Sequence, residues 1–185
     1  MQVKDRNKNR RSIGTLALVS LFCQLGLAPA IALASGHPNF AFVFAAVVAL
    51  SIGGGTGVAS AFVAGLVYDL STTGPIGLMA LLLTIAAYIL GIEVRDRISE
   101  EPSMTLIPFS IAAFAVSLLY HLSMFLYGQA DSLFGAIFFR TLPTTVLTIL
   151  AYLPYLYFLG RTRQGGLRMG QGRGAHSSRY TMGNR

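Results

Sequence analysis

IGTLALVSLFCQLGLAPAIALA, from Ile13 to Ala34, is a run of 22 residues without a charge. As helix it extends about 33 Å, enough to cross a hydrocarbon core of about 30 Å. The sequence then continues in the same key. Phe40 to Ile52 is apolar, GGGTG follows at Gly53 to Gly57, and Val58 to Leu70 is apolar again. Pro75 to Ile92, Thr105 to Tyr127 and Leu133 to Leu159 bring the candidate crossings to six. The pieces 40-52 and 58-70, with 13 residues each, reach only about 20 Å as helix. They are either short spans that thin the bilayer or a re-entrant pair, and two short helices are favoured. Pro75 suits a first helical turn, and Pro108, Pro143 and Pro154 are expected to kink the last two spans.

Composition agrees with the spans. Of the 185 residues 54% are hydrophobic and 11% charged, against about 25% charged in a soluble domain. Mean hydropathy is +0.61. Polar surface is too scarce to cover a water-soluble globule, which excludes an ordinary soluble enzyme. A basic start followed by an apolar run and Ala32-Leu33-Ala34 also fits a cleavable leader. Leader cores are about 7 to 15 residues long, however, so a retained first helix is expected.

The net charge of +7 is informative through its placement. Lys4, Arg6, Lys8, Arg10 and Arg11 precede the first span, Arg95 and Arg97 fall in a middle break, and six arginines from Arg161 to Arg185 follow the last span. Only Arg140 lies inside an apolar segment. Such clustering follows the positive-inside rule and not a nucleic-acid surface. With six crossings both termini are cytoplasmic. The chain divides into a basic N-terminus (1-12), one transmembrane helical domain (13-159), and an Arg/Gly-rich tail (160-185) whose composition predicts disorder. Arg10, Arg11, Arg161 and Arg163, flanking the spans, are expected to contact anionic lipid.

Chemistry-bearing patterns are sparse. GGGTG lacks the GK[ST] of a phosphate-binding loop. Cys23 is the only cysteine, and His37, His121 and His176 lie in separate segments without ligand partners, so no metal, cofactor or catalytic residues are expected. His121 shares a helical stripe with Ser110, Ser117 and Met124, which reads as a packing seam. Gly57, Ala61 and Gly65 recur every fourth residue and the same step reaches Asp69; Gly77, Thr84 and Gly91 follow at heptad spacing. Both read as close-packing seams, mainly between helices of this chain. Asp69 and Arg140 are costly charges within or at the end of apolar spans. An intramembrane ion pair between them is expected; the alternative is that Asp69 caps the STTG turn while Arg140 reaches the headgroups.

His37-Pro38-Asn39, the GTG at Gly55 to Gly57, and GLVYDLSTTGPIGLMAL from Gly65 to Leu81, followed by Tyr88, together resemble the MreD family of rod shape-determining membrane proteins. The resemblance covers roughly Pro38 to Gly91. It implies an all-α six-helix membrane bundle similar to the substrate-binding components of vitamin transporters. It also implies a non-enzymatic subunit of the bacterial elongation machinery, acting with MreC, RodA, a class B penicillin-binding transpeptidase and MreB in lateral peptidoglycan synthesis at the cytoplasmic membrane. Pro38, Asn39, Gly57, Gly65, Asp69, Gly74, Pro75 and Gly77 match motif positions with structural roles. Asn39 would cap the second helix, while Gly74, Pro75 and Gly77 would set a sharp turn.

Two functional readings follow. A scaffold would present rigid helix faces to other membrane proteins. A small-molecule-binding subunit of a vitamin transporter would instead need an outward pocket lined by polar and aromatic groups.

Overall fold

The computed structural model describes residues 6–31, 36–96, 102–128 and 132–167, with side chains in the two terminal segments and around the middle break described over a narrower range. Six helices form the bundle. α1 starts at Arg6–Phe22, passes through a π turn at Cys23–Leu27 and finishes at Ala28–Ala30. α2 is Phe40–Ser51, α3 Gly54–Ser71, α4 Leu78–Asp96 and α5 Leu106–Leu126. α6 is Leu142–Leu167, preceded by Leu133–Gly135 and a π turn at Ala136–Thr141. Three stretches have the length and apolarity of a membrane span, namely Ile13–Ala30, Leu106–Leu126 and Leu133–Tyr157.

α2 is the axis. Every residue from Phe40 to Leu50 is buried, the pattern of a helix that is apolar all round because neighbours surround it. α1, α3, α4 and α6 all pack on it. Phe42 meets Phe109 of α5 with ring centroids 5.1 Å apart, and Phe109 stacks on Tyr152 of α6 at 3.9 Å. The outward faces of α4 and α5 stay apolar and exposed, as with Ile85 and Ile111, which suits hydrocarbon and not water.

Several boundaries differ from the sequence-based expectation for identifiable reasons. The third helix begins at Gly54 instead of Val58, so it is an 18-residue helix of about 27 Å and not a 13-residue fragment. Glycine is needed in its first turn. Gly53 and Gly54 have φ of +62° and +60°, and a Cβ on Gly57 would lie 3.0 Å from the Cα of Ala49. GGGTG thus reverses the chain in two residues and lets α3 start against α2. Pro75 lies in the turn ahead of α4, not in its first helical turn, and Gly77 has φ +98°. The face that α4 buries carries Met79, Ala80, Leu83, Ala87 and Leu90, while Gly77, Thr84 and Gly91 are only partly covered.

The prolines act locally. Pro29 and Pro143 each follow a π turn that contains the carbonyl four residues upstream, at Leu25 and Phe139. Widening the helix there relieves the clash and missing N–H that a proline imposes. Pro108 sits in the first turn of α5, where no intrahelical donor is lost. Pro154 lies inside α6. That helix continues to Leu167, so residues 160–167, expected as disordered tail, are helical. The segment holds three glycines, which disfavour helix, so its helicity is propagation from the helix already formed ahead of it. The rest of the tail, 168–185, lies outside the described residues.

Candidate functional site

The polar residues of the bundle gather at the end where α2 and α4 begin. There the first-turn amides of two helices are buried, and an amide without a partner in hydrocarbon costs several kcal/mol. Side chains from other parts of the chain satisfy them.

At α4 the acceptor is Asp69, which is 1% exposed. Its Oδ2 accepts from the amides of Gly77 at 2.9 Å and Ala80 at 3.1 Å, and its Oδ1 from Met79 at 3.1 Å. The negative charge faces the positive end of a helix. Positive φ at Gly77 turns its amide toward the carboxylate. The approach that makes this possible is set by Gly65, one turn below: a Cβ there would stand 2.4 Å from the Cα of Ala80. The buried residues of α3 are Gly57, Ala61, Gly65 and Asp69, so the seam read from the sequence is the face that α3 packs inward. Gly74 lies against the hydroxyl of Tyr120 and the end of Met124, closing the turn onto α5.

At α2 two side chains share the work. Asn39 is the N-cap, its Oδ1 accepting from Phe42 at 2.9 Å, as expected of it. Gln24, from the π turn of α1, accepts the amides of Phe40 at 2.9 Å and Ala41 at 3.3 Å. Sequence reasoning missed Gln24, although it is the one amide side chain between Ile13 and Ala34. Asn39 is itself held. Its amide donates to the hydroxyl of Thr148 at 3.0 Å, and its Nδ2 lies 3.7 Å from the sulfur of Met79.

Thr148 belongs to a buried stripe with Thr141, Thr144 and Thr145, spaced so that one face running from the end of the π turn into α6 carries them all. Thr145 and Thr148 donate back to the carbonyls of Thr141 and Thr144. Gly36 fits against this helix start, where a Cβ would lie 2.7 Å from the amide of Thr144. Pro38 is buried in the same segment. His121 completes the seam. Its Nδ1 lies 2.8 Å from the carbonyl of Ser117 and 3.2 Å from the hydroxyl of Thr141. A carbonyl only accepts, so Nδ1 carries the proton.

Arg140, half-buried in the π turn, stands within electrostatic range of His121, whereas both oxygens of Asp69 are on the amides of the α4 turn. The two charges expected to pair therefore serve different neighbourhoods: Asp69 has a capping role, but at the start of α4, on Gly77, Met79 and Ala80, and not on the STTG turn that the alternative named. The side chains of Arg10, Arg11, Arg161 and Arg163 lie outside the described residues. Among the described residues no group of three or more His, Cys, Asp or Glu is placed to hold a metal.

Two cavities flank α1. The larger, about 920 Å³, opens between α1 and α6 and is lined chiefly by apolar side chains such as Leu16, Leu27, Phe40 and Leu150. The smaller, about 440 Å³, lies between α1 and the α2–α3 pair. Of the polar side chains that meet the helix starts, Gln24 borders the smaller cavity.

Residues 5–161 match the family model of the rod shape-determining protein MreD, and the chain belongs to that family. No curated protein and no solved structure matches it.

Proposed function

We propose, proceeding from membership of the MreD family of rod shape-determining membrane proteins, that this chain is a non-enzymatic scaffold of the bacterial cell-elongation complex. Its work is to hold helix faces in fixed positions against other membrane proteins while lateral peptidoglycan is made. The family is not a known enzyme family. The partners proposed are MreC, RodA with its class B penicillin-binding transpeptidase, and MreB, directly or through MreC.

One observation supports this reading above others. The polar side chains of the bundle, Asp69, Asn39, Gln24 and Thr148, have as partners the backbone or side chains of the bundle itself, which is what rigidity requires. The vitamin-binding alternative would need such groups turned toward an open pocket, and the larger cavity is instead apolar.

The proposed location is the cytoplasmic membrane, crossed six times with both termini inside. The basic clusters before the first apolar run and after the last one support it. On this topology the capped starts of α2 and α4 face outward, and Gly53 faces the cytoplasm. Anionic lipids then meet Arg10, Arg11, Arg161 and Arg163.

Depletion of the protein in its own rod-shaped host tests the assignment, with rounding and swelling expected. Rods that persist without a redundant copy would defeat it. Copurification separates the readings: MreC or RodA is expected, whereas a retained vitamin or an ATP-binding subunit would favour the transporter.

A further inference from the structure

The cavity of about 920 Å³ between α1 and α6 has as its walls the two spans Ile13–Ala30 and Leu133–Tyr157, so it opens to the bilayer. Water gains little there. A buried water needs about two to four polar partners, and the tyrosine hydroxyl on the wall, at Tyr155, is already paired with Ser20. The occupant is therefore hydrocarbon. Along α1 the lining runs from Thr15 to Ile31, about 24 Å of helix. A partner helix about 10 Å across would need about 1,900 Å³ over that length, twice what the cavity holds. An acyl chain is slimmer, and one leaflet of a core of about 30 Å is about 15 Å deep, well within the lining.

The two walls also agree in charge. α1 lines the cavity with every fourth residue from Thr15 to Ile31, and the same step backward from Thr15 reaches Arg11, still within the helix. α6 lines it with Leu147, Leu150 and Pro154, and two turns beyond Pro154 comes Arg161, again within the helix. The Ser20–Tyr155 hydrogen bond sets the start of α1 beside the end of α6, so both stripes run into an arginine position at the same end of the cavity. Neither helix carries an aspartate or glutamate, from Arg6 to Phe22 or from Leu142 to Leu167.

We propose that this cavity holds an acyl chain of an anionic phospholipid, whose headgroup lies between Arg11 and Arg161. Guanidinium groups bind phosphate through charge-assisted hydrogen bonds, and the surrounding bilayer supplies the lipid. One lipid filling the gap also accounts for how α1 keeps its place with only 11% of its apolar window buried. The inference narrows the lipid contacts of the proposed function to one site, and it rests on the membrane placement in that reading, not on the scaffold role.

The test uses the full-length protein, delipidated in detergent and titrated with phosphatidylglycerol or with phosphatidylcholine of the same chains. Native mass spectrometry counts the bound lipid, and alkylation of Cys23, which lines the cavity and is the only cysteine, reports its occupancy. One phosphatidylglycerol per chain is expected, at a concentration about tenfold to thirtyfold lower than phosphatidylcholine needs, with alkylation slowing as it binds. Arg11→Ala and Arg161→Ala are each expected to cut that preference by about fivefold. Arg163→Ala, nine residues from Pro154 and so on the opposite side of the helix, is expected to leave it. Val19→Trp, which fills the cavity from an exposed position, is expected to abolish the retained lipid with both arginines in place. Equal affinity for the two lipids, or an Arg163→Ala effect as large as that of Arg161→Ala, would overturn the headgroup site. Lipid that survives Val19→Trp, or that binds without slowing alkylation, would overturn the cavity as its seat. Protection of Cys23 by a copurifying membrane protein and not by lipid would give the cavity to a partner helix and overturn the proposal. None of these readouts touches cell shape, on which the scaffold reading stands or falls.

Discussion

The α3–α4 hairpin and α1 are built of similarly apolar sequence, yet they are fixed in the bundle by very different means. In the hairpin, Gly65 lets the two backbones touch at Ala80 and Asp69 caps the start of the second helix. α1 has an apolar cavity on each side, and only 11% of its Ile13–Ala30 window is buried. It is tied by directed contacts: Gln24 to the start of α2, and the Ser20 hydroxyl to the Tyr155 hydroxyl at 3.2 Å. In a lipid solvent apolarity alone decides nothing about which helices adjoin. Small residues and buried hydrogen bonds decide it.

That contrast can be broken at four points. Asp69→Ala leaves three amides without their acceptor, two of them buried, at about 1–3 kcal/mol for each buried one, and is expected to abolish folded protein or lower its thermal midpoint the most, by circular dichroism in detergent. Asp69→Asn, which keeps one oxygen, should lie between this variant and the wild type. Gly65→Ala comes next. Its Cβ meets backbone, not a side chain that can swing away, so about 1–3 kcal/mol is expected, with a wider α3–α4 separation measurable by spin-label distances. Gln24→Ala frees two amides at the start of α2 but not the helix itself, since Asn39 still caps it. About 1 kcal/mol is expected, with faster alkylation of the neighbouring Cys23 as its own readout. Leu18→Ala, on the exposed side of α1, should change stability by less than about 0.5 kcal/mol. Should Leu18→Ala cost as much as Gly65→Ala, the distinction between the two regions is false.

The sequence carried the parts of this arrangement that depend on periodicity. Gly57, Ala61, Gly65 and Asp69 share a face because a helix puts them there, and Asn39 caps α2 because it precedes an apolar run. What the sequence concealed depends on how the chain turns. Reading Pro75 as a first-turn residue starts α4 too early and hides the amides of Gly77, Met79 and Ala80 from Asp69. With those amides out of view, Arg140 is the conspicuous partner for a buried carboxylate. The GGGTG segment was ambiguous for a related reason: glycine permits both a break and a close helix start, and only Ala49, across the gap on α2, decides between them. Gln24 reaches α2 from the turn of the helix that widens ahead of Pro29, a displacement that no heptad or 3.6-residue count contains.

The carboxylate of Asp69 also bears on how the polypeptide enters the membrane. A pair of helices joined by a link whose donors already have an internal acceptor can leave the translocation machinery together, with no exposed amides to stall at the lipid boundary. Residues 54–96 have that property as soon as they are made, after α1 and α2 and before α5 and α6, which makes this hairpin a template on which the last two helices assemble.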